Sequence, residues 1–182
     1  MKRADYLLLG VVFVALILWT FLAPPISHHG EAREGLVVQD IVQDHEGLLP
    51  DRDEGMLSKP PFFHWIAALL ALLFGLSDFT VRLPSVIAAE VMVITTFLLG
   101  RAIGDRKTAW LAVGALLGMY QFWLAGTEVR VDMVFATCVT VSIAGFLFWY
   151  LKAHQAGRAL CYIAAACAVL ANGCKRWGAL LP

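Results

Sequence analysis

The sequence predicts an all-α fold, a polytopic helical bundle embedded in a membrane, and three observations predict it. Hydrophobic residues make up 60% of the chain and charged residues 15%, whereas soluble domains average roughly 45–50% and about 25%. The apolar residues gather in five long runs, at 6–23, 83–100, 109–125, 133–151 and 159–171, the last being the shortest. A helix needs about 17 residues or more to cross a hydrocarbon core about 30 Å thick, so the runs are read as spans. Finally, the basic residues collect between particular runs, as expected when lysine and arginine are retained on the cytoplasmic side. The whole of 1–182 is read as a single transmembrane domain, with about five spans and two juxtamembrane helices.

The 14 basic and 14 acidic residues cancel, so no net field recruits nucleic acid, and only the placement of charge is informative. The first run follows Lys2 and Arg3. It is expected to stay as an anchor rather than be cleaved as a signal peptide, because no small-x-small site precedes Pro24 and Pro25. Lys2 and Arg3 place the N-terminus in the cytoplasm. Arg101, Arg106 and Lys107 mark a second cytoplasmic loop, and Lys152 and Arg158 a third. Parity then leaves everything from 24 to 82 outside. The short apolar segment 62–76 behind Pro60 and Pro61 therefore cannot cross, and is expected to lie along the surface.

Within that outer loop, residues 31–43 place Leu36, Val37 and Ile41 at near-helical spacing, as in a short amphipathic helix. A flexible turn is expected at 50–58. A second outer loop, 126–132, is very short. The four cysteines lie in or beside apolar runs without metal or disulfide spacing and read as small apolar residues. Trp65, Trp110, Trp123, Trp149 and Tyr150 lie near span ends, as in an interfacial belt.

Charges close to the spans are the first candidates for chemistry, since burying them in lipid is costly. Glu31 and Asp132 form an outward-facing carboxylate pair suited to act as general base on an acceptor hydroxyl or amine. Arg33, Lys59 and Arg130 are the cations that would hold a phosphate leaving group. The competing reading is that these are solvated loop charges, or that Arg130 forms a structural ion pair with Asp132. His28, His29, His45 and His64 raise a divalent cation as a further option, but none of the usual ligand spacings is present. No metal site or cofactor is therefore assigned. Glu90, a carboxylate near mid-span, must face protein or a cavity.

The order of motifs resembles that of the membrane glycosyltransferases of the protein mannosyltransferase and aminoarabinose transferase type, glycosyltransferase family 39 with the C-type fold. The matching pieces are Gly30-Glu31-Ala32-Arg33, then Ser58-Lys59-Pro60-Pro61-Phe62-Phe63-His64-Trp65, then Phe79-Thr80-Val81-Arg82-Leu83-Pro84-Ser85, and Arg130-Val131-Asp132 leading a span. The resemblance implies inverting transfer of a sugar from a polyprenyl-phosphate donor to a lipid or protein acceptor at the outer face of a bacterial inner membrane. It assigns Glu31 and Arg33 to the first-loop motif, Lys59 to the donor phosphate and Asp132 to the second outer loop.

This chain departs from the family at three places. Gly30 stands where relatives have aspartate, Ser58 where some have glutamate, and the region around Lys175 differs from the usual Lys-Gly-Pro. Relatives also continue for several hundred residues, so an N-terminal portion of such an enzyme is expected. The alternatives from other classes are a transporter or flippase subunit for polyprenyl-phosphate lipids, which would use the same cations without a base, and a catalytically inactive membrane protein.

Overall fold

A computed structural model describes residues 2–26, 29–43, 62–152 and 155–172. The described residues form eight helices. In chain order they are α1 (Arg3–Leu22), α2 (His29–Gln43), α3 (Phe62–Phe74), α4 (Asp78–Ile103), α5 (Arg106–Leu117), α6 (Tyr120–Thr127), α7 (Val131–Lys152) and α8 (Gln155–Asn172). Three of them, α1, α4 and α7, are long and apolar enough to cross a membrane, and α5 with α6 makes a fourth if that bent pair is one span. The protein is a multi-pass membrane helical bundle. The fifth expected run falls on α8, whose described apolar part is the shorter stretch Arg158–Val169.

The expected span at 109–125 is not one straight helix. It breaks between α5 and α6 with a bend of 72°. Gly118 ends α5, and the carbonyl of Leu117 freed by the break accepts the Trp123 indole N–H at 2.6 Å. A carbonyl without a helical partner needs a donor wherever water is excluded. The indole supplies it, which is why this tryptophan is turned into the protein. Trp110 likewise donates its N–H to Asp5 at 3.2 Å. Trp110 and Trp123, both expected in an interfacial belt, thus also hydrogen-bond within the bundle.

Helix α4 organises the rest, because α1, α3, α5, α6 and α7 all pack on it. Its N-terminus is capped by Ser77, whose hydroxyl accepts the Thr80 N–H at 3.2 Å, satisfying one of the orphan donors of a first turn. Gly75 precedes it with φ +87°, a left-handed conformation that closes α3 and that a side chain would strain. At the other end Gly100 lets α5 approach closely: a Cβ there would lie 2.5 Å from the Ala109 Cα. The N-terminus of α1 is tied to α5 by Asp5, which accepts from Arg106 Nε at 2.7 Å.

The expected amphipathic helix over 31–43 is α2. Its buried residues are Glu31, Glu34, Val37 and Val38, while Leu36 is exposed and Ile41 half-buried. Two buried valines contribute about 1.5–3 kcal/mol each, which is little for a helix that must stay docked. The two carboxylates on the same face, three residues apart and so one above the other, therefore decide where α2 sits. The surface-lying segment expected at 62–76 is α3, a helix separate from α4 and packed against both α2 and α4.

Candidate active site

The centre of the site is an ion pair between α2 and α4. Glu31 and Arg82 are each 4% exposed, and the guanidinium meets the carboxylate in bidentate fashion, Nε to Oε1 at 2.9 Å and Nη2 to Oε2 at 3.0 Å. Arg82 also donates from Nη1 and Nη2 to the Pro24 carbonyl, both at 3.1 Å. Glu31 Oε1 further accepts the backbone N–H of Val129 at 2.9 Å. Arginine suits this place because its planar fork matches a carboxylate and still has donors to spare.

Ser85, one turn after Arg82, accepts the Arg130 backbone N–H at 3.2 Å. The spacing of Arg82 and Ser85 puts both on one face of α4. Arg82 fastens the segment that begins α2 and Ser85 the segment that precedes α7, so the Arg82-Leu83-Pro84-Ser85 motif has a structural meaning: it joins the two. Sequence reasoning used these residues only as a resemblance. The signal that could have revealed the pair is an arginine directly before an apolar span, a position that calls for an acidic partner.

The remaining expected residues fall into place around this junction. Arg33 is half exposed and donates from Nη2 to Glu34 Oε1 at 3.2 Å. Arg130 pairs with Glu128, at 3.1 Å from Nε and 2.9 Å from Nη2. That corrects the expected ion pair with Asp132: Glu128 lies before the start of α7 and can fold back onto the guanidinium. Asp132 itself is exposed in the first turn of α7, where the helix N-terminus favours a negative charge. Lys59, His28, His45 and Lys175 lie outside the described residues.

His64, considered above as a metal ligand, is instead buried against α2. Its Nε2 lies 2.8 Å from Glu34 Oε2. No group of three or more potential metal ligands occurs among the described residues. Glu90 is 9% exposed, and its Oε2 is buried without a hydrogen-bond partner among the described residues. A cavity of about 160 Å³ opens beside the ion pair, lined by Trp19, Pro24, Glu31, Arg82, Thr127 and Glu128 among others.

A bundle of apolar helices whose segments before α4 and before α7 are locked together by buried polar contacts defines the class as a polytopic membrane protein. The family model described as dolichyl-phosphate-mannose-protein mannosyltransferase matches residues 58–182, and the chain belongs to that family. It is similar to the undecaprenyl phosphate-alpha-4-amino-4-deoxy-L-arabinose arabinosyl transferase 2 of Proteus mirabilis, 29% identical over 157 residues, covering 85% of this chain and 28% of that protein. A transferase of the same description from Shewanella sediminis is 26% identical over 148 residues, covering 79% of this chain and 27% of the relative. The chain thus spans little more than a quarter of the length of these relatives.

Among solved structures, the fold is similar to that of ArnT from Cupriavidus metallidurans. The form bound to undecaprenyl phosphate superposes with a TM-score of 0.80 at 19% identity, over 94% of this chain and 33% of that one. The apo form gives 0.77 at 18% identity, over 93% and 33%.

Proposed function

We propose that this chain contributes the outer-loop half of an enzyme that transfers a sugar from a polyprenyl-phosphate donor to a lipid or protein acceptor on the extracytoplasmic face of a bacterial inner membrane, with its N-terminus in the cytoplasm. The observation that carries the reading is the Glu31 carboxylate accepting the Val129 N–H across 98 residues. This contact joins the helix that carries Arg33 to the segment that leads to Arg130 and Asp132, which supports a shared site. The relatives named for transfer from an undecaprenyl phosphate donor, and the similar fold described as bound to undecaprenyl phosphate, support the same chemistry.

The residues divide the work according to their surroundings. Glu31 is engaged by Arg82 and the Val129 amide, so its part is to fix the loops in place. Asp132, exposed at the mouth of α7, is the carboxylate placed to orient and deprotonate the acceptor. Arg33, Arg130 and Lys59 supply positive charge for the phosphate. In a single in-line displacement the acceptor oxygen or nitrogen attacks the anomeric carbon. The bond from that carbon to the phosphate oxygen breaks and its electron pair leaves with the polyprenyl phosphate. The acceptor proton passes to Asp132, and the anomeric configuration inverts.

A second reading, a carrier of polyprenyl-phosphate lipids, draws support from Gly30, which leaves the first loop without the aspartate expected beside Glu31. Incubating the whole protein with a radiolabelled polyprenyl-phosphate sugar separates the two. Label appearing in an acceptor that resists mild acid release from the donor is expected of the enzyme. Donor binding with every count still on the polyprenyl phosphate is the carrier's result.

A further inference from the structure

Glu34 is a buried carboxylate to which the proposed chemistry gives no task, yet it touches a residue on either side. Its Oε1 accepts from Arg33 Nη2 at 3.2 Å and its Oε2 meets His64 Nε2 at 2.8 Å. Glu34 and His64 are 3% and 1% exposed, whereas the Arg33 side chain is 50% exposed. A connected row therefore runs from the interior of α3, through α2, to a guanidinium that opens towards solvent.

The other ring nitrogen of His64, Nδ1, is buried with no hydrogen-bond partner among the described residues. A buried polar atom left unpaired costs stability, and an apolar residue at position 64 would avoid that cost. The imidazole has to be explained by its contact with Glu34. What it supplies is direction, since it holds one oxygen of Glu34 and turns the other towards Arg33. Neighbouring residues on a helix do not ordinarily face each other, so the contact between Arg33 and Glu34 depends on the glutamate being held from elsewhere.

We infer that Glu34 and His64 are positioning residues that hold the Arg33 guanidinium in place for the phosphate of a polyprenyl-phosphate ligand. The inference rests on the proposed function, in which Arg33 meets that phosphate. An arginine fixed before the ligand arrives loses less side-chain freedom on binding, so the pair acts on affinity rather than on the chemical step.

The test uses the whole protein in nanodiscs, with undecaprenyl phosphate as the probe. The double variant Glu34→Leu with His64→Leu replaces both partners by apolar side chains and keeps the interface between α2 and α3 filled. The variant is expected to keep a cooperative melting transition, while the dissociation constant for the probe rises about tenfold, the scale of one hydrogen bond to a charged group. Introduced into an Arg33→Gln background, the same double change is expected to cost nothing further, because residues that act through a third do not add to its loss. Equal losses in both backgrounds would show an effect that does not pass through Arg33, and unchanged affinity in the double variant would show that the pair is only packing. Either result overturns the inference while leaving the proposed function standing. A parent protein that does not bind the probe at all removes both.

Discussion

Arg82 and Glu31 lie 51 residues apart in sequence and meet in a buried, bidentate ion pair. Through the Val129 amide on the same carboxylate, the pair connects α2, α4 and the segment before α7. Breaking such a pair from one side leaves the other charge uncompensated in the interior, at a cost of about 3–5 kcal/mol. Glu31→Ala and Arg82→Ala should therefore each lower the unfolding midpoint in detergent sharply. The pair Glu31→Leu with Arg82→Met should recover much of that loss, yet still leave transfer impaired because the Val129 amide has lost its acceptor.

Gly30 stands beside Glu31 in the first turn of α2, and a Cβ built there meets nothing within 4 Å. Gly30→Asp is expected to be tolerated, and a little stabilising, because glycine is a poor helix former and a negative charge suits a helix N-terminus. If the site transfers sugar, the added carboxylate should raise the rate. Comparing turnover of a labelled donor in the two proteins at matched expression checks it.

How much of this was legible in the sequence depended on the range of the signal. The apolar runs gave α1, α4 and α7, and the spacing of Leu36, Val37 and Ile41 gave α2, although Leu36 is exposed, since these are local periodicities. The short apolar run behind Pro60 and Pro61 gave α3 as a helix separate from α4. Pairings across long separations carried no such mark. Glu31 with Arg82, Glu34 with His64 and Arg130 with Glu128 are choices among many possible charge partners, and only the packing of α2 against α3 and α4 selects them. The break after Leu117 was also hidden, because the indole that satisfies its freed carbonyl lies six residues further on.

Asp132 is exposed and held in no ion pair among the described residues, so Asp132→Asn should leave the unfolding midpoint unchanged. Loss of a general base typically lowers the rate by roughly 10²- to 10⁴-fold. A transfer assay beside a melting curve shows whether activity falls without stability.

Asp105 caps α5, accepting the Thr108 N–H at 2.8 Å and its hydroxyl at 2.9 Å. These bonds hold its carboxyl below the ordinary value of 3.8. A folded value below the unfolded one means that the cap's contribution is fully present above pH 3.8 and is lost as the pH falls through the lowered value. Carboxyl chemical shifts of Asp105 should report that low midpoint, and Thr108→Val should move it upward.

Gly100 faces the backbone of Ala109 at a distance that excludes any side chain. Gly100→Ala should force α5 away from α4 and destabilise the bundle by about 1–3 kcal/mol. Gly30→Ala, in open space, serves as the matched control in the same melting experiment.

Accessibility to a membrane-impermeant maleimide probes the shared outer face most directly. Gly30→Cys and Asp132→Cys would be placed singly in a background whose four native cysteines are replaced by alanine. Both positions should label from outside intact cells, at rates that a detergent pulse does not increase. If one of them reacts only after the membrane is opened, the two loops lie on opposite sides and no common site joins them.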